Sequence, residues 1–428
     1  MKKALRVVAV GATLALSGLG LVACSSGGSG SNGGGNTGGN DTGPITYVQG
    51  KDTSGNIPKL ADMWNAKHPK EKVTVKQQSD NADQQLQDLT QHLQQKLSDY
   101  DVMSTDVVWT AQLAAKGWLQ PLTGNYKLDL SGYLPSVVKS GQYVGTQYAA
   151  PSVTDSQLLY YRKDLLGSKA VPTTFAEMMA LCPVAKKAGI DCYAGQFAKY
   201  EGLTVNFNEV VTSNGGTVVD EKGKPTLDTP EAQKGLQELV DAFKDGNIPK
   251  AAVSYQEQQG LNSFEQGKLM FLNNWPYMVA DIANSAQAKD IRSKYAIAGY
   301  PGKSAVGGHN LAINAYSKHK ATALKFIEFM ESSDVQKERV EKESVAPTLS
   351  SLYTDSSFTK QFPYLVPLKA SLDSAVARPI TPYYNGVTQA IQNNIFQALQ
   401  TASTGGSVDV KSVLSATSKA IEAAGSGS

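Results

Sequence analysis

The stretch 45–77 limits the possible folds more than any other. ITYVQG reads as a strand, and NIPKLADMWNAKHP then sets Ile57, Leu60, Met63 and Trp64 at helical spacing before Pro69 ends the pattern. KVTVKQ follows with Val73 and Val75 alternating, as a second strand. Strand, helix and strand within about thirty residues predict a parallel βαβ unit.

The same grammar returns downstream. TTFAEMMALC opens with a capping box at Thr174 and Glu177. LDTPEAQKGLQELVDAFKDG places Pro230 near a first helical position, Leu236, Leu239, Val240 and Phe243 on one face, and Gly246 at the end. KYAIAGYP and NLAINAYS read as strands, while KATALKFIEFME, GVTQAIQNNIFQAL and VKSVLSATSKAIEAA read as helices. QQLQDLTQHLQQKLSDYD predicts an amphipathic helix on its Leu86, Leu89, Leu93 and Leu97 face. An α/β fold follows, and 428 residues suit about two domains. In open α/β sheets ligands sit outside the carboxyl ends of strands, which singles out the loops QGKDTSG, STDVVW and APSVTDSQ.

Composition removes several functions. Lys and Arg number 40 against 38 Asp and Glu, a net charge of +2 that gives no reason to expect a nucleic acid. Four histidines leave little for a metal centre or a histidine-based catalytic pair, and neither is expected. The chain lacks the G-x-S-x-G elbow of serine hydrolases, H-E-x-x-H, and the G-x-x-x-x-G-K-[ST] phosphate loop.

The N-terminus reads as an export signal: Met1, Lys2, Lys3 and Arg6, then the uncharged run VVAVGATLALSGLGLVA, whose glycines suit a permanent span poorly. The run ends in Leu21-Val22-Ala23-Cys24, which resembles the lipobox of bacterial lipoproteins. Residues 1–23 are then a signal peptide and Cys24 the lipid-modified first residue; an ordinary signal peptide that happens to contain a cysteine is the plainer alternative. No apolar residue stands between Ser25 and Gly43, so 24–43 is expected to be a flexible tether, reaching roughly 20 to 25 Å. In an exported chain, Cys182 and Cys192 are expected to form a structural disulfide stabilising the fold by about 3 kcal/mol; their spacing is too wide for a C-x-x-C redox motif.

Six stretches together carry a family resemblance: DVVWTAQLAAKGWLQPL (106–122), LLYYRKDLL (158–166), CYAGQFAKYEGLTVNF (192–207), NNWPY (273–277), GGHNLAI (307–313) and ARPITPYY (377–384). In that order they are similar to the extracellular solute-binding proteins of carbohydrate ABC importers, in particular the trehalose/maltose-binding lipoproteins of actinobacteria. The resemblance implies a two-lobed periplasmic-binding-protein-like fold, with a hinge crossed more than once and the sugar held between the lobes. Lobe 1 would comprise 44–154 plus about 304–355, and lobe 2 would comprise 155–303 plus about 356–428.

It also implies a site without catalytic residues. Asp106 and Asp155 would accept hydrogen bonds from sugar hydroxyls, Trp275 would be the stacking platform, Glu257 a further polar contact and Arg378 a donor. Gly307 and Gly308 would allow close backbone approach, and Asp52 and Tyr383 are weaker matches. His309 stands where many relatives carry tryptophan, so stacking on that side is open. Such a chain would be a monomer on the outer face of a bacterial cell membrane. It would take a di- or oligosaccharide of the α-glucoside type, need no cofactor, and hand the sugar to permease subunits served by a cytoplasmic ATPase.

Sugar chemistry supports such a residue set independently. Carboxylates and guanidinium make charge-assisted hydrogen bonds to a hydroxyl rim, and an indole covers an apolar C–H face. Plainer readings stand beside these: Trp64, Trp109 and Trp118 sit among apolar residues as core, Asp106 and Asp155 could cap helices, and Arg162 with Asp164 suits a structural ion pair. Two other functions use the same residue types. A lipid-anchored glycoside hydrolase would need two carboxyls about 5 to 10 Å apart, drawn from Asp106, Asp155, Glu201 and Glu257. A surface adhesin would need no cleft.

Overall fold

The computed structural model describes residues 41–426. The signal peptide, Cys24 and nearly all of the expected tether lie outside them. Residues 41–43, the end of that tether, are bound to the fold. The Asp41 carboxylate accepts from the Lys320 amide at 2.8 Å and from the Tyr126 hydroxyl at 2.6 Å, and the Gly43 amide donates to Thr322. Asp41 thereby caps the helix Lys320–Met330, whose own N-cap residue, His319, offers no side-chain bond.

Twelve strands are described: β1 (Ile45–Gln49), β2 (Val73–Gln77), β3 (Val102–Asp106), β4 (Gln142–Tyr143), β5 (Thr146–Gln147), β6 (Ala149–Asp155), β7 (Leu158–Arg162), β8 (Asp191–Ala194), β9 (Leu269–Asn274), β10 (Tyr295–Gly299), β11 (Ala305–Ile313) and β12 (Val376–Ala377). The first sheet runs β12-β11-β3-β1-β2, with β6 also on β11. β1 is parallel to β2 and β3, so the βαβ unit forms as expected, while β11 is antiparallel to β3 and β6. The second sheet runs β10-β7-β9-β8, with β8 and β9 parallel.

The chain passes from the first sheet to the second between Asp155 and Leu158, and returns between Gly299 and Ala305. It crosses again later. Val340, Ala346 and Tyr353 pack in the core beneath the second sheet, Val376 and Ala377 pair with β11 in the first, and Val387, Ile391 and Ile395 are back in the second core. The sheets are thus sewn together by several short connections.

The local readings hold where periodicity is strong. Ile57, Leu60, Ala61 and Trp64 bury one face of the helix Ile57–Lys67. Met63 is the exception: it lies on the opposite side and is 41% exposed, because position 63 is one residue out of phase with the 57-60-64 stripe. The helix Ala82–Gln94 buries Leu86, Leu89 and Leu93, but Leu97 lies beyond its end and is 38% exposed; Lys96, with φ of 56°, has already turned the chain out of the helix. The capping box at Thr174 and Glu177 is present, and so is the face 236-239-240-243 on the helix Pro230–Lys244. Arg162 and Asp164 pair at 2.7 Å. Trp64 and Trp109 are core residues, and Trp118 is half-buried beneath Lys116. Cys182 and Cys192 form a disulfide that joins the helix Cys182–Ala188 to β8.

Candidate functional site

Most of the candidate residues gather where the ends of strands from both sheets meet. Asp106 closes β3, Asp155 closes β6, and Trp275 follows the last residue of β9. β11 runs between the two carboxylates: Gly307 stands opposite Asp155, and His309 opposite Asp106. Two of the three loops singled out by the strand-end rule, those after β3 and β6, thus lie side by side across β11.

Gly307 and Gly308 are glycines for different reasons. A β-carbon on Gly307 would lie 2.7 Å from Cζ3 of Trp275, so the indole of the second sheet rests on the bare backbone of the first. Gly308 has a φ of 105°, and a β-carbon there would come within 2.2 Å of the Val153 carbonyl, so any other residue would strain the backbone and force β6 away.

Trp275 is held from several sides. Tyr160 donates to its carbonyl at 2.8 Å, Asn274 accepts from its amide at 2.8 Å, and its side chain bonds the Glu257 carboxylate. Glu257 also accepts from Tyr200 at 2.7 Å, while Asn274 donates to the Glu257 carbonyl. Burial raises the Glu257 pKa, and the bonds from Tyr200 and Trp275 oppose the rise. Asp155 is pushed up to about 8, first by desolvation; Arg339 works against this, and the neighbouring Asp106 adds to it. Asp155 is therefore largely a neutral carboxylic acid at pH 7, able to donate as well as accept.

The inner wall is an ion cluster. Arg378 is buried, donating from Nη2 to Asp106 Oδ1 at 2.6 Å and from Nη1 to Glu201 Oε1 at 2.7 Å. Tyr384 donates to the same Glu201 oxygen. Beside this cluster, burial lowers the pKa of half-buried His309, Asp106 opposes the fall, and Arg378 and Arg339 add to it.

Two expected residues lie elsewhere. The Asp52 carboxylate accepts from the amides of Ser54, Gly55 and Ile57 and from the Ser54 hydroxyl, so it is consumed in starting the helix Ile57–Lys67. Tyr383 donates to the Gly223 carbonyl at 2.8 Å, away from the cluster. The hydroxyl that joins the cluster belongs to Tyr384, because the helix Tyr384–Ser403 begins there and one helical step turns a side chain by about 100°. Sequence reasoning named Glu201 only as a carboxylate that a hydrolase might use, and missed Tyr200 and Tyr384. The available signal was their position inside two of the six family-like stretches.

Buried and half-buried acids, a buried arginine and a braced indole thus gather between two α/β sheets that the chain crosses repeatedly, the architecture of a two-lobed binding protein. Residues 47–337 match the family model of the bacterial extracellular solute-binding proteins, and the chain belongs to that family, whose members are binding proteins rather than enzymes. It is similar to a probable ABC transporter-binding protein of Deinococcus radiodurans, 32% identical over 369 residues that cover 80% of this chain and 84% of that one. Among solved structures, the maltose-bound MalE3 of T. maritima matches with a TM-score of 0.81 at 29% identity, covering 89% of this chain and 99% of that one. The GacH receptor of Streptomyces glaucescens, solved unliganded and with acarbose, matches with a TM-score of 0.78 at 26% identity over 90% and 98% of the two chains. These neighbours share the two-lobed α/β architecture. Among the described residues, no helix is long and apolar enough to cross a membrane.

Proposed function

We propose that this chain is the sugar-capturing subunit of an ABC importer, that Cys24 anchors it by lipid to the outer face of the cell membrane, and that its ligand is a di- or oligosaccharide of the α-glucoside type. One observation carries the reading: the cleft sets an indole, braced by Gly307 and Glu257, beside acids and an arginine drawn from both sheets. An apolar C–H face against Trp275 and a hydroxyl rim between Asp106, Asp155, Glu257 and Arg378 is the complement of a pyranose. The maltose and acarbose held by the two structural neighbours are α-linked glucosides or mimics of them, which favours that class.

In this reading sugar enters an open cleft, touches both lobes and shifts the population toward the closed form, which membrane permease subunits served by a cytoplasmic ATPase would receive. The sugar itself is unchanged. Gly307 and Gly308 serve the site indirectly, by letting Trp275 and β6 pack against β11, and the lobes divide near Asp155 and Gly299.

Calorimetry with maltose, trehalose, maltotriose and the polyol mannitol tests the proposal. An α-glucoside should bind and raise the melting temperature, and Trp275→Ala should weaken binding at least a hundredfold, as loss of a central aromatic anchor does. Binding of mannitol alone would replace the sugar reading with a polyol one, and no binding across the panel would refute both.

A further inference from the structure

Arg378 carries five N–H donors, and its surroundings assign four of them. Nε points to the Val306 carbonyl at 3.4 Å, Nη1 donates to Asp106 Oδ2 at 3.2 Å and to Glu201 Oε1 at 2.7 Å, and Nη2 donates to Asp106 Oδ1 at 2.6 Å. Among the described residues, the second Nη2 hydrogen has no acceptor.

Arg378 has no regular element of its own. It follows the two-residue strand β12 and precedes the helix that starts at Tyr384. Its direction must therefore come from its partners. Asp106 grips the end of the guanidinium, which still allows the plane to swing about that contact. Glu201 removes the swing. It opens the helix Glu201–Ser213, in which every residue from Glu201 to Thr212 is buried, so the carboxylate is fixed by the core of the second sheet's layer. Its own bonds are fixed too: Tyr384 and Thr388 donate to it, Thr388 exchanges a bond with Thr204 at 2.7 Å, and Gln392 donates to Thr388 at 3.0 Å. From the first turn of the helix Ala82–Gln94, the Asp83 carboxylate accepts from the Glu201 backbone amide and from Gln392.

We infer that Glu201 is a positioning residue for ligand capture: held by the second sheet's core, it fixes the plane of Arg378 so that one N–H is aimed at the ligand. The inference rests on the sugar-binding reading above. Asp106 belongs to the first sheet and Glu201 to the second, so the guanidinium reaches its working position only when the two sheets are together. Capture and closure thereby share one side chain.

The charges that face Glu201 are Arg378, Asp106, Asp83 and the hydroxyls of Tyr384 and Tyr200, with Glu209 and His309 beyond Arg378. Two carboxylates share one guanidinium. Burial, opposed by Arg378 and reinforced by Asp106, brings Glu201 to about 7. Below neutrality it takes up a proton, and Arg378 loses a charged partner.

The test is titration of purified mature protein with maltose and trehalose at pH 6, 7 and 8, together with thermal unfolding without sugar. E201Q keeps the shape and removes the charge; it should bind about tenfold more weakly at pH 8 and nearly like wild type at pH 6. Without sugar it should melt higher than wild type at pH 8, because the surplus buried carboxylate is gone. A residue needed only for folding would not weaken binding while raising the melting temperature. Y384F removes a donor that holds the Glu201 pKa down, so the pH at which affinity falls should move upward; this variant decides the matter if E201Q does not fold. Equal affinity of E201Q and wild type at all three pH values, or an unmoved midpoint in Y384F, would overturn the inference while leaving the sugar reading intact. A wild type that binds neither sugar would remove the sugar reading, and this inference with it.

Discussion

Gly308 shows how much of the site depends on single atoms. Its φ of 105° and the 2.2 Å approach of a would-be β-carbon to the Val153 carbonyl combine a backbone and a packing penalty. Gly308→Ala should cost about 2 to 4 kcal/mol, read as a fall in the denaturation midpoint, with a further loss of sugar affinity because β6 carries Asp155. Gly307 should behave differently, since the atom in the way belongs to a side chain that can move. The residue scale is also where sequence reading was weakest. Asp106, Asp155, Trp275, Arg378 and the glycines come together, but Glu201 bonds to Arg378 across 177 positions and to Tyr384 across 183. No local pattern links residues at such separations. Choosing Tyr383 over Tyr384 was a matter of helix phase, which depends on where the first turn begins.

At the scale of elements, the chain spoke more clearly. The strand–helix–strand unit, the capping box at Thr174 and the apolar face of the helix Pro230–Lys244 are written in spacings of two to seven residues, and each formed as read. The errors, Met63 and Leu97, sit where a helical stripe was extended by one position or one turn too far. The disulfide between Cys182 and Cys192 belongs to this scale as well. It ties the helix Cys182–Ala188 to β8, an edge strand of the second sheet, and neither cysteine touches the candidate ligand residues. Reduction should lower stability by about 3 kcal/mol on the chain-entropy model and leave sugar affinity within twofold. Urea unfolding and calorimetry, each with and without dithiothreitol, would check both halves of that statement.

For the whole molecule, the acids around the crossing points set the response to pH. Asp155 and Glu209 are each pushed up to about 8 and Glu201 to about 7, in every case first by burial. A carboxyl whose folded pKa exceeds its unfolded value favours the fold while it stays protonated, so this contribution is complete below about pH 4 and is lost as pH rises through 7 to 8. The melting temperature should therefore decline between pH 5 and 9, and Asp155→Asn should flatten that decline; a melting temperature that rises over this interval would contradict it.

The repeated crossing between sheets has one more consequence. A single cut at exposed Lys303, in the connection between β10 and β11, would leave a first piece holding ten of the twelve strands and a second piece beginning with β11. β11 is no peripheral strand: it pairs with β3, β6 and β12 and supplies the two glycines at the heart of the cleft. The two fragments are thus complementary by construction, each carrying half of one hydrogen-bonded ladder. The fold is a natural template for a split sensor, in which reassembly of the fragments and recognition of the ligand are the same event.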